Sequence, residues 1–380
     1  MLNLKCWLMI GLLVSAPAGA DSWFFIATGD SHLGAARGEI FAQVVQDVNR
    51  RRPDFFVLLG DAVENALPQN FALLMEACEK LQVPLHYVVG NHDVLMPGQP
   101  HSRTNYLKIR AKISRDAPHD RTYYAFTHKN CRFIVLDTAG VRVGEWGVRV
   151  SDPQQWDWLE SELKAAQGQF EHIFVLMHVP TRNPLAQLGT NRNHWFTDRQ
   201  EADEFDDLMA RYKVDLVLCA HDHMFEKHEK DGVTYVICGS AGGGIVAPSF
   251  LGGFHNYVEV HVSGKTVTIQ VVPILRSLEI QVVGTAGTQG TTSQRPNVPT
   301  SSTRASLTVP VKLTARGTQP TGVTLPLFEP MALRWSSSNP NVGTVDAKGR
   351  FTARAPGKTK VTVTCGVLRA EVEVTVTAAK

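Results

Sequence analysis

The sequence predicts a layered α/β domain followed by a small all-β sandwich, and three observations carry that expectation. From residue 21 to about 275, short apolar runs alternate with stretches of helical periodicity, the pattern of a sheet wrapped by helices. From 284 to 304 the chain reads GTAGTQGTTSQRPNVPTSSTR, which is small, polar or Pro throughout and carries no apolar period. Beyond it, short alternating runs recur between turn clusters such as SSSNP at 336–340, AKG at 347–349 and APG at 355–357, the spacing of a small sandwich. The length of 380 residues fits two or three domains at roughly 100–200 residues each. With 43% hydrophobic and 19% charged residues, the chain has the apolar material for packed cores, which excludes a disordered chain.

The elements are justified in chain order. Residues 1–20, MLNLKCWLMIGLLVSAPAGA, place Lys5 before an apolar run and end on Ala18-Gly19-Ala20, the layout of a cleaved secretory signal. The apolar run is shorter than the ~20 residues that span a bilayer, and no later stretch approaches that length, so no transmembrane segment is expected after cleavage. The expected location is therefore secreted or periplasmic. Within 21–275, strands are expected at 23–28, 55–59, 85–89, 132–136, 173–177, 214–219, 233–238, 257–262 and 267–272. Helices are expected at 39–51, 70–81, 153–166 and 198–211, with Asp152 and Thr197 as caps. Residues 276–304 read as a linker or disordered insertion, of which 276–283 is a candidate first strand for the sandwich. Residues 305–380 supply strands at 307–315, 331–335, 343–346, 350–353, 358–365 and 370–376. Five cysteines remain beyond the signal, Cys78, Cys131, Cys219, Cys238 and Cys365, with no metal-ligand spacing. Cys219 and Cys238 fall in neighbouring apolar runs, so either a bridge or two buried thiols fits them.

The chemistry sits at strand ends. Five fragments put oxygen or imidazole groups just after an expected strand: Asp30-Ser31-His32, Gly60-Asp61, Gly90-Asn91-His92-Asp93, His178 and His221-Asp222-His223. Open sheets bind ligands beyond their strand ends, so all five point at one crevice. Two carboxylates, one amide and four imidazoles suit Mn, Fe, Zn or Co, and the lack of Cys disfavours a structural zinc. A count of seven such groups fits two divalent ions sharing one carboxylate.

In this order and combination, the fragments resemble the calcineurin-like metallophosphoesterase superfamily, whose pattern is D-x-H, G-D, G-N-H-D/E, H and G-H-x-H. The resemblance implies a four-layer αββα sandwich with a dinuclear centre. Asp30, His32 and His223 would hold one metal, Asn91, His178 and His221 the other, and Asp61 would bridge. His92 would be the acid near the leaving group, with Asp93 either orienting it or holding the turn. Two such cations, about 3.5–4 Å apart, activate a bridging water as hydroxide and clamp a phosphoryl group in line, so the implied reaction is hydrolysis of a phosphodiester or phosphomonoester. Ala220 stands where the family usually has Gly. The run Ala62-Val63-Glu64-Asn65 lacks the Asp-Arg of Ser/Thr protein phosphatases, and His32, with no Tyr after Asp61, argues against the purple acid phosphatases. A second resemblance lies at 331–364, where ALRWSSSNPNVGTVDAKGRFTARAPGKTKVTVT is similar to the bacterial Ig-like group 2 module. It implies an envelope or extracellular setting and contact with a cell surface or polymer.

Loops over the crevice are expected to choose the substrate. The segment 181–196 offers Arg182 and Arg192 for an anionic group, His194, and Trp195 for stacking. The formal charge of +2 gives no basic stripe, so no nucleic-acid partner is expected. The competing reading is an inactive surface binding protein that keeps the fold as a platform.

Overall fold

The computed structural model describes residues 22–378, apart from 36–37, 100, 115–116, 186–193, 284–300, 307–310 and 329–330. The first half-domain runs β1 (Trp23–Thr28), α1 (Gly38–Arg51), β2 (Phe56–Leu58), α2 (Pro68–Cys78), β3 (Leu85–Tyr87) and α3 (Thr104–Ile113). The second runs β4 (Tyr124–His128), β5 (Cys131–Val135), α4 (Val148–Ser151), α5 (Pro153–Ala166), β6 (His172–Leu176), α6 (Arg199–Arg211), β7 (Leu216–Cys219), β8 (Phe225–Lys230) and β9 (Val233–Cys238). Then β10 (Asn256–Ser263) and β11 (Thr266–Pro273) return to the first sheet. That sheet has the order β11-β10-β1-β2-β3, and the second has β4-β5-β6-β7-β9-β8. Parallel pairing runs through β1-β2-β3 and through β5-β6-β7-β9, so the carboxyl ends within each set point one way.

Four layers result from where the apolar residues face. In β1, Trp23, Phe25 and Ala27 enter the core between the two sheets, where they join Phe133, Phe174, Leu216 and Val258. Ile26, on the other face, packs with Ile40, Phe41 and Val44 of α1 and with Phe71 and Leu74 of α2. Outside the second sheet, Leu159 and Leu163 of α5 and Phe205 and Met209 of α6 cover Val175, Val217 and Ile237. The period of two along a strand explains the cysteines as well. Cys219 faces the helices and Cys238 faces the inter-sheet core, so no disulfide can join them, and both are free thiols.

Among the elements that went unforeseen, three show why. β8, FEKHEK, is an edge strand of charged residues, and β4 is the half-exposed opposite edge, so neither shows an apolar run. α3 buries Tyr106 and Arg110 but has no acidic first turn or side-chain cap to announce it. The cap of α6 is Asp198, which accepts from the Gln200 amide, while the Thr197 hydroxyl accepts from the Trp146 amide at 2.7 Å.

The C-terminal region adds β12 (Ser277–Val283), β13 (Ser301–Ser306), β14 (Val311–Thr318), β15 (Thr324–Leu327), β16 (Leu333–Ser337), β17 (Gly343–Val345), β18 (Arg350–Ala353), β19 (Gly357–Cys365) and β20 (Leu368–Thr377). One sheet is β12-β14-β18-β17 with β15 on β14, and the other is β13-β20-β19-β16. The stretch 276–304 is thus not linker throughout: β12 pairs with β14 over its whole length and β13 pairs with β20, while 284–300 lie outside the described residues. The two regions share one core, in which Val271 and Leu275 are continuous with Leu278, Ile280, Leu313, Met331 and Phe351. The Ala332 amide donates to the Val271 carbonyl at 2.9 Å, and the Gln319 side chain donates to the His255 carbonyl at 3.0 Å. Leu275 fills the space over Gly317, where a Cβ would stand 2.5 Å from its Cδ1.

One buried carboxyl in α1 weakens the fold at neutral pH. Burial raises the Asp47 pKa to about 6, against the opposing hydrogen bond from Gln43 and the nearby charges of Arg50 and Arg51. The folded state therefore binds this proton more tightly than the unfolded chain, and stability falls as pH rises from about 4 to about 6. Asp47→Asn keeps the acceptor for Gln43 and removes that cost. It is expected to stabilise by at most about 3 kcal/mol above pH 6, with no gain near pH 4. Thermal melts of the two proteins across this range check it, and an equal difference at both ends would show that ionisation of Asp47 is not its source.

Candidate metal centre and active site

Parallel pairing brings the five fragments together. Asp30 and His32 follow β1, Asp61 follows β2, Asn91 and His92 follow β3, His178 follows β6, and His221 and His223 follow β7. The backbone there is tightly bent: Asp30, His32, Asp61 and His221 have φ of 57°, 45°, 50° and 67°. These left-handed conformations are rare outside Gly and mark a site where the surrounding fold dictates the turn. Gly60, at φ 90°, has no room for a side chain, since a Cβ would lie 2.7 Å from both Gly90 Cα and His178 Nδ1. At the start of the first loop, a Cβ on Gly29 would lie 2.5 Å from that of Ala220.

Three overlapping sets of ligand atoms form within this bend: Asp30, His32 and His223; His32, Asp61 and His92; and Asp61, His178 and His221. Asp61, almost fully buried, is common to two of them and faces both sides. Its Oδ2 is 3.2 Å from His178 Nε2 and 3.8 Å from His32 Nε2, and its Oδ1 accepts from the His92 amide at 2.7 Å. The Asn91 Oδ1 lies 3.1 Å from His178 Nε2. The imidazoles are oriented from behind, with Nδ1 of His178 donating to the Leu59 carbonyl at 2.7 Å and Nδ1 of His223 to the Gly244 carbonyl at 2.7 Å. That leaves their Nε2 atoms turned inward. Asp30 Oδ1, His32 Nε2 and His221 Nε2 are buried with no hydrogen-bond partner among the described residues. Buried polar atoms are normally satisfied, so Asp30 Oδ1 and His32 Nε2, 3.9 Å apart, fit a cation, while His221 meets the cluster through Nδ1, 3.2 Å from His178 Nε2.

Charge at the site is set by the same contacts. Burial alone would raise the Asp61 carboxyl, but the imidazoles of His178, His92 and His32 together hold it well below the carboxylate range. Burial would lower His178, yet the charge and hydrogen bond of Asp61 push it up to about 9. His221 is lowered by burial and by His178. His92 is raised, the Asp61 charge and the Glu64 carbonyl outweighing burial. Asp93 does not touch the His92 ring: its oxygens accept from the amides of Gly90, Ala62 and Val63, tying the turn after β3 to the turn after β2. Burial first and the Asp61 charge second raise Asp93 to about 7.

The loop residues divide. His194 lies beside the cluster, its ring 4.9 Å from that of His221 and its Nδ1 3.6 Å from Asp222 Oδ1. Trp195 is half-buried next to it in the chain. Arg182 is not a free anion grip, because its guanidinium is held by two α6 carboxylates, Asp203 at 2.6 Å and Asp206 at 2.9 Å. Arg192 lies outside the described residues. Sequence reasoning missed Trp146, whose ring stands 5.1 Å from that of His221, and the Glu64 carboxylate at 2.9 Å from His32 Nδ1. Neither belongs to a spaced motif.

The comparisons with known proteins agree with this geometry. Rat tartrate-resistant acid phosphatase type 5 is 25% identical over 64% of this chain and 79% of its own length. A 3',5'-cyclic-nucleotide phosphodiesterase from Nostoc is 25% identical over 53% of this chain and 69% of its own length. The solved structure of purple acid phosphatase PPD1 from yellow lupin has the same fold, with a TM-score of 0.51 at 15% identity, over 67% of this chain and 52% of that one. No helix among the described residues is long and apolar enough to cross a membrane. The bacterial Ig-like domain (group 2) profile matches residues 304–376. The calcineurin-like phosphoesterase profile matches residues 25–225, more than half of the chain, and the protein accordingly belongs to that family of dinuclear metal-dependent hydrolases of phosphoester bonds.

Proposed function

We propose that this is a secreted or periplasmic phosphoesterase that cleaves a small phosphodiester or phosphomonoester, with Asp61 as the shared ligand of two cations and His92 as the acid. The observation that carries the reading is the convergence of three sets of buried ligand atoms on Asp61 and His32, with Asp30 Oδ1 and His32 Nε2 left without a hydrogen-bond partner among the described residues. Asp30, His32 and His223 would hold one ion, and Asn91, His178 and His221 the other. When bound, two divalent ions of the Mn, Fe, Zn or Co type supply Lewis acidity and an activated water. Asp61 stays ionised in a buried place because three imidazoles face it. His92 is pinned through Nδ1, at 2.6 Å from the Glu64 carbonyl, which leaves Nε2 to hold a proton for the departing oxygen. Its raised pKa keeps that proton available near neutrality. The relatives named above include both a phosphatase and a phosphodiesterase, which supports either ester class. The signal-like first twenty residues and the Ig-like region support the location.

The test compares bis-p-nitrophenyl phosphate with p-nitrophenyl phosphate, using protein stripped of metal and then refilled. Turnover that returns with metal is expected. His92→Ala should lower kcat by roughly 10²–10⁴-fold for an alkyl leaving group, and much less for p-nitrophenolate, which leaves without a proton. Loss of equal size for both leaving groups would remove His92 from the acid role. Absence of turnover with every metal, in protein that binds two ions, would favour the binding-platform reading.

A further inference from the structure

Outside the seven ligands, one carboxylate reaches into their set. Oε2 of Glu64 lies 2.9 Å from Nδ1 of His32, a ring that is itself nearly buried. A carboxylate can only accept, so this contact puts the proton of a neutral His32 on Nδ1 and leaves the Nε2 lone pair bare. That Nε2 has no hydrogen-bond partner among the described residues, and it stands 3.9 Å from Asp30 Oδ1 and 3.8 Å from Asp61 Oδ2. His178 and His223 have neutral partners on Nδ1, the Leu59 and Gly244 carbonyls, whereas His221 turns its own Nδ1 to His178 Nε2 at 3.2 Å.

The backbone of Glu64 is fixed independently of its side chain. Its amide donates to the Leu33 carbonyl at 2.9 Å, the Leu33 amide donates to the Ala62 carbonyl at 2.9 Å, and the amides of Ala62 and Val63 are held by Asp93. Its carbonyl is the group that pins His92. Changing the side chain therefore leaves the partner of His92 in place.

We propose that Glu64 is a positioning residue whose carboxylate fixes the His32 tautomer and makes the Asp30, His32 and His223 position the tighter of the two cation positions. The affinity part rests on the cluster being a metal centre, and the tautomer part does not. A charged acceptor behind an imidazole raises the basicity of its other nitrogen, and removing such a partner typically costs 10–100-fold in metal affinity.

The test uses nitrogen-15-labelled, metal-free protein about two pH units above the ordinary histidine pKa of about 6.5, where neutral tautomers are read directly from ring correlations. His32 is expected as Nδ1–H in the wild type and in Glu64→Gln, whose amide oxygen can still accept, and as a mixture in Glu64→Ala. Calorimetric titration with Zn(II) is then expected to show two events. Glu64→Ala weakens one of them by about 10–100-fold, Glu64→Gln weakens it less, and the other event is unchanged. An Nε2–H tautomer in the wild type overturns the proposal. So does equal weakening of both events, or none, in a Glu64→Ala protein with a wild-type melting curve. If wild-type protein takes up no Zn(II) while His32 keeps the Nδ1–H form, it is the metal-centre reading that has failed.

Discussion

Asp61→Asn is expected to lower kcat by about 10³-fold or more, about 4 kcal/mol of transition-state stabilisation, and to reduce tightly bound metal from two ions to one. The substitution is nearly isosteric, and an amide oxygen can still accept from the His92 amide, as Oδ1 does at 2.7 Å. What is lost is the charge shared between the two groups of ligands. In the wild type that charge lifts His178 to about 9 against the effect of burial, so His178 in the variant becomes an ordinary buried imidazole. No other carboxylate in the three ligand sets belongs to two of them. Steady-state kinetics with metal analysis of the same samples decides the matter. Two ions per chain and turnover within tenfold of wild type would show that Asp61 is not the shared ligand.

Ending the chain after residue 275 is expected to abolish cooperative folding of the α/β region, although the phosphoesterase profile stops well before that point. Val271 and Leu275 belong to a core whose far side is Leu278, Ile280, Leu313 and Met331. Removing 276–380 would strip that side, together with the amide that Ala332 gives to Val271 and the side chain that Gln319 gives to His255. Burial of apolar area is the main favourable contribution to folding, and at about 1.5–3 kcal/mol for each buried side chain, exposing Val271 and Leu275 alone costs an amount comparable to the net stability of a typical domain, about 5–15 kcal/mol. The check is a thermal melt of the 21–275 fragment beside the full chain. A sharp transition at the same temperature would show that the Ig-like region is a dispensable appendage.

Much of the fold was legible because buried strands write themselves as apolar runs. WFFIAT at β1 and VTYVIC at β9 face packed layers on both sides, and their boundaries could be read directly. β8 was hidden, since an edge strand solvated on most of its length carries the same residues as a loop. The metal-ligand candidates were legible for a different reason: each sits within a few residues of a strand end, and parallel pairing converts that shared position into spatial convergence. Contacts without a fixed spacing were not. Glu64 reaches His32 across two loops, and Arg182, which looked like a free cation, meets carboxylates one helix away. The break in composition after 284 suggested two independent bodies, but the packing of Leu275 over Gly317 depends on a backbone approach that no periodicity records.

The contact between Gly29 and Ala220 has a consequence for how the site can vary over evolutionary time. A Cβ at Gly29 would stand 2.5 Å from the one Ala220 already has, so the two strand ends share space for a single methyl group. One side must remain bare. Residues 29 and 220 are therefore coupled as alleles: while Ala occupies 220, Gly is compulsory at 29, and the usual Gly at 220 would release 29 to carry Ala. Each of these residues immediately precedes a candidate ligand, Asp30 or His221, whose carboxylate and amide are joined at 3.0 Å. A lineage that places Ala at 29 while Ala220 remains must move one end of that hydrogen bond, and with it a corner of the candidate metal centre.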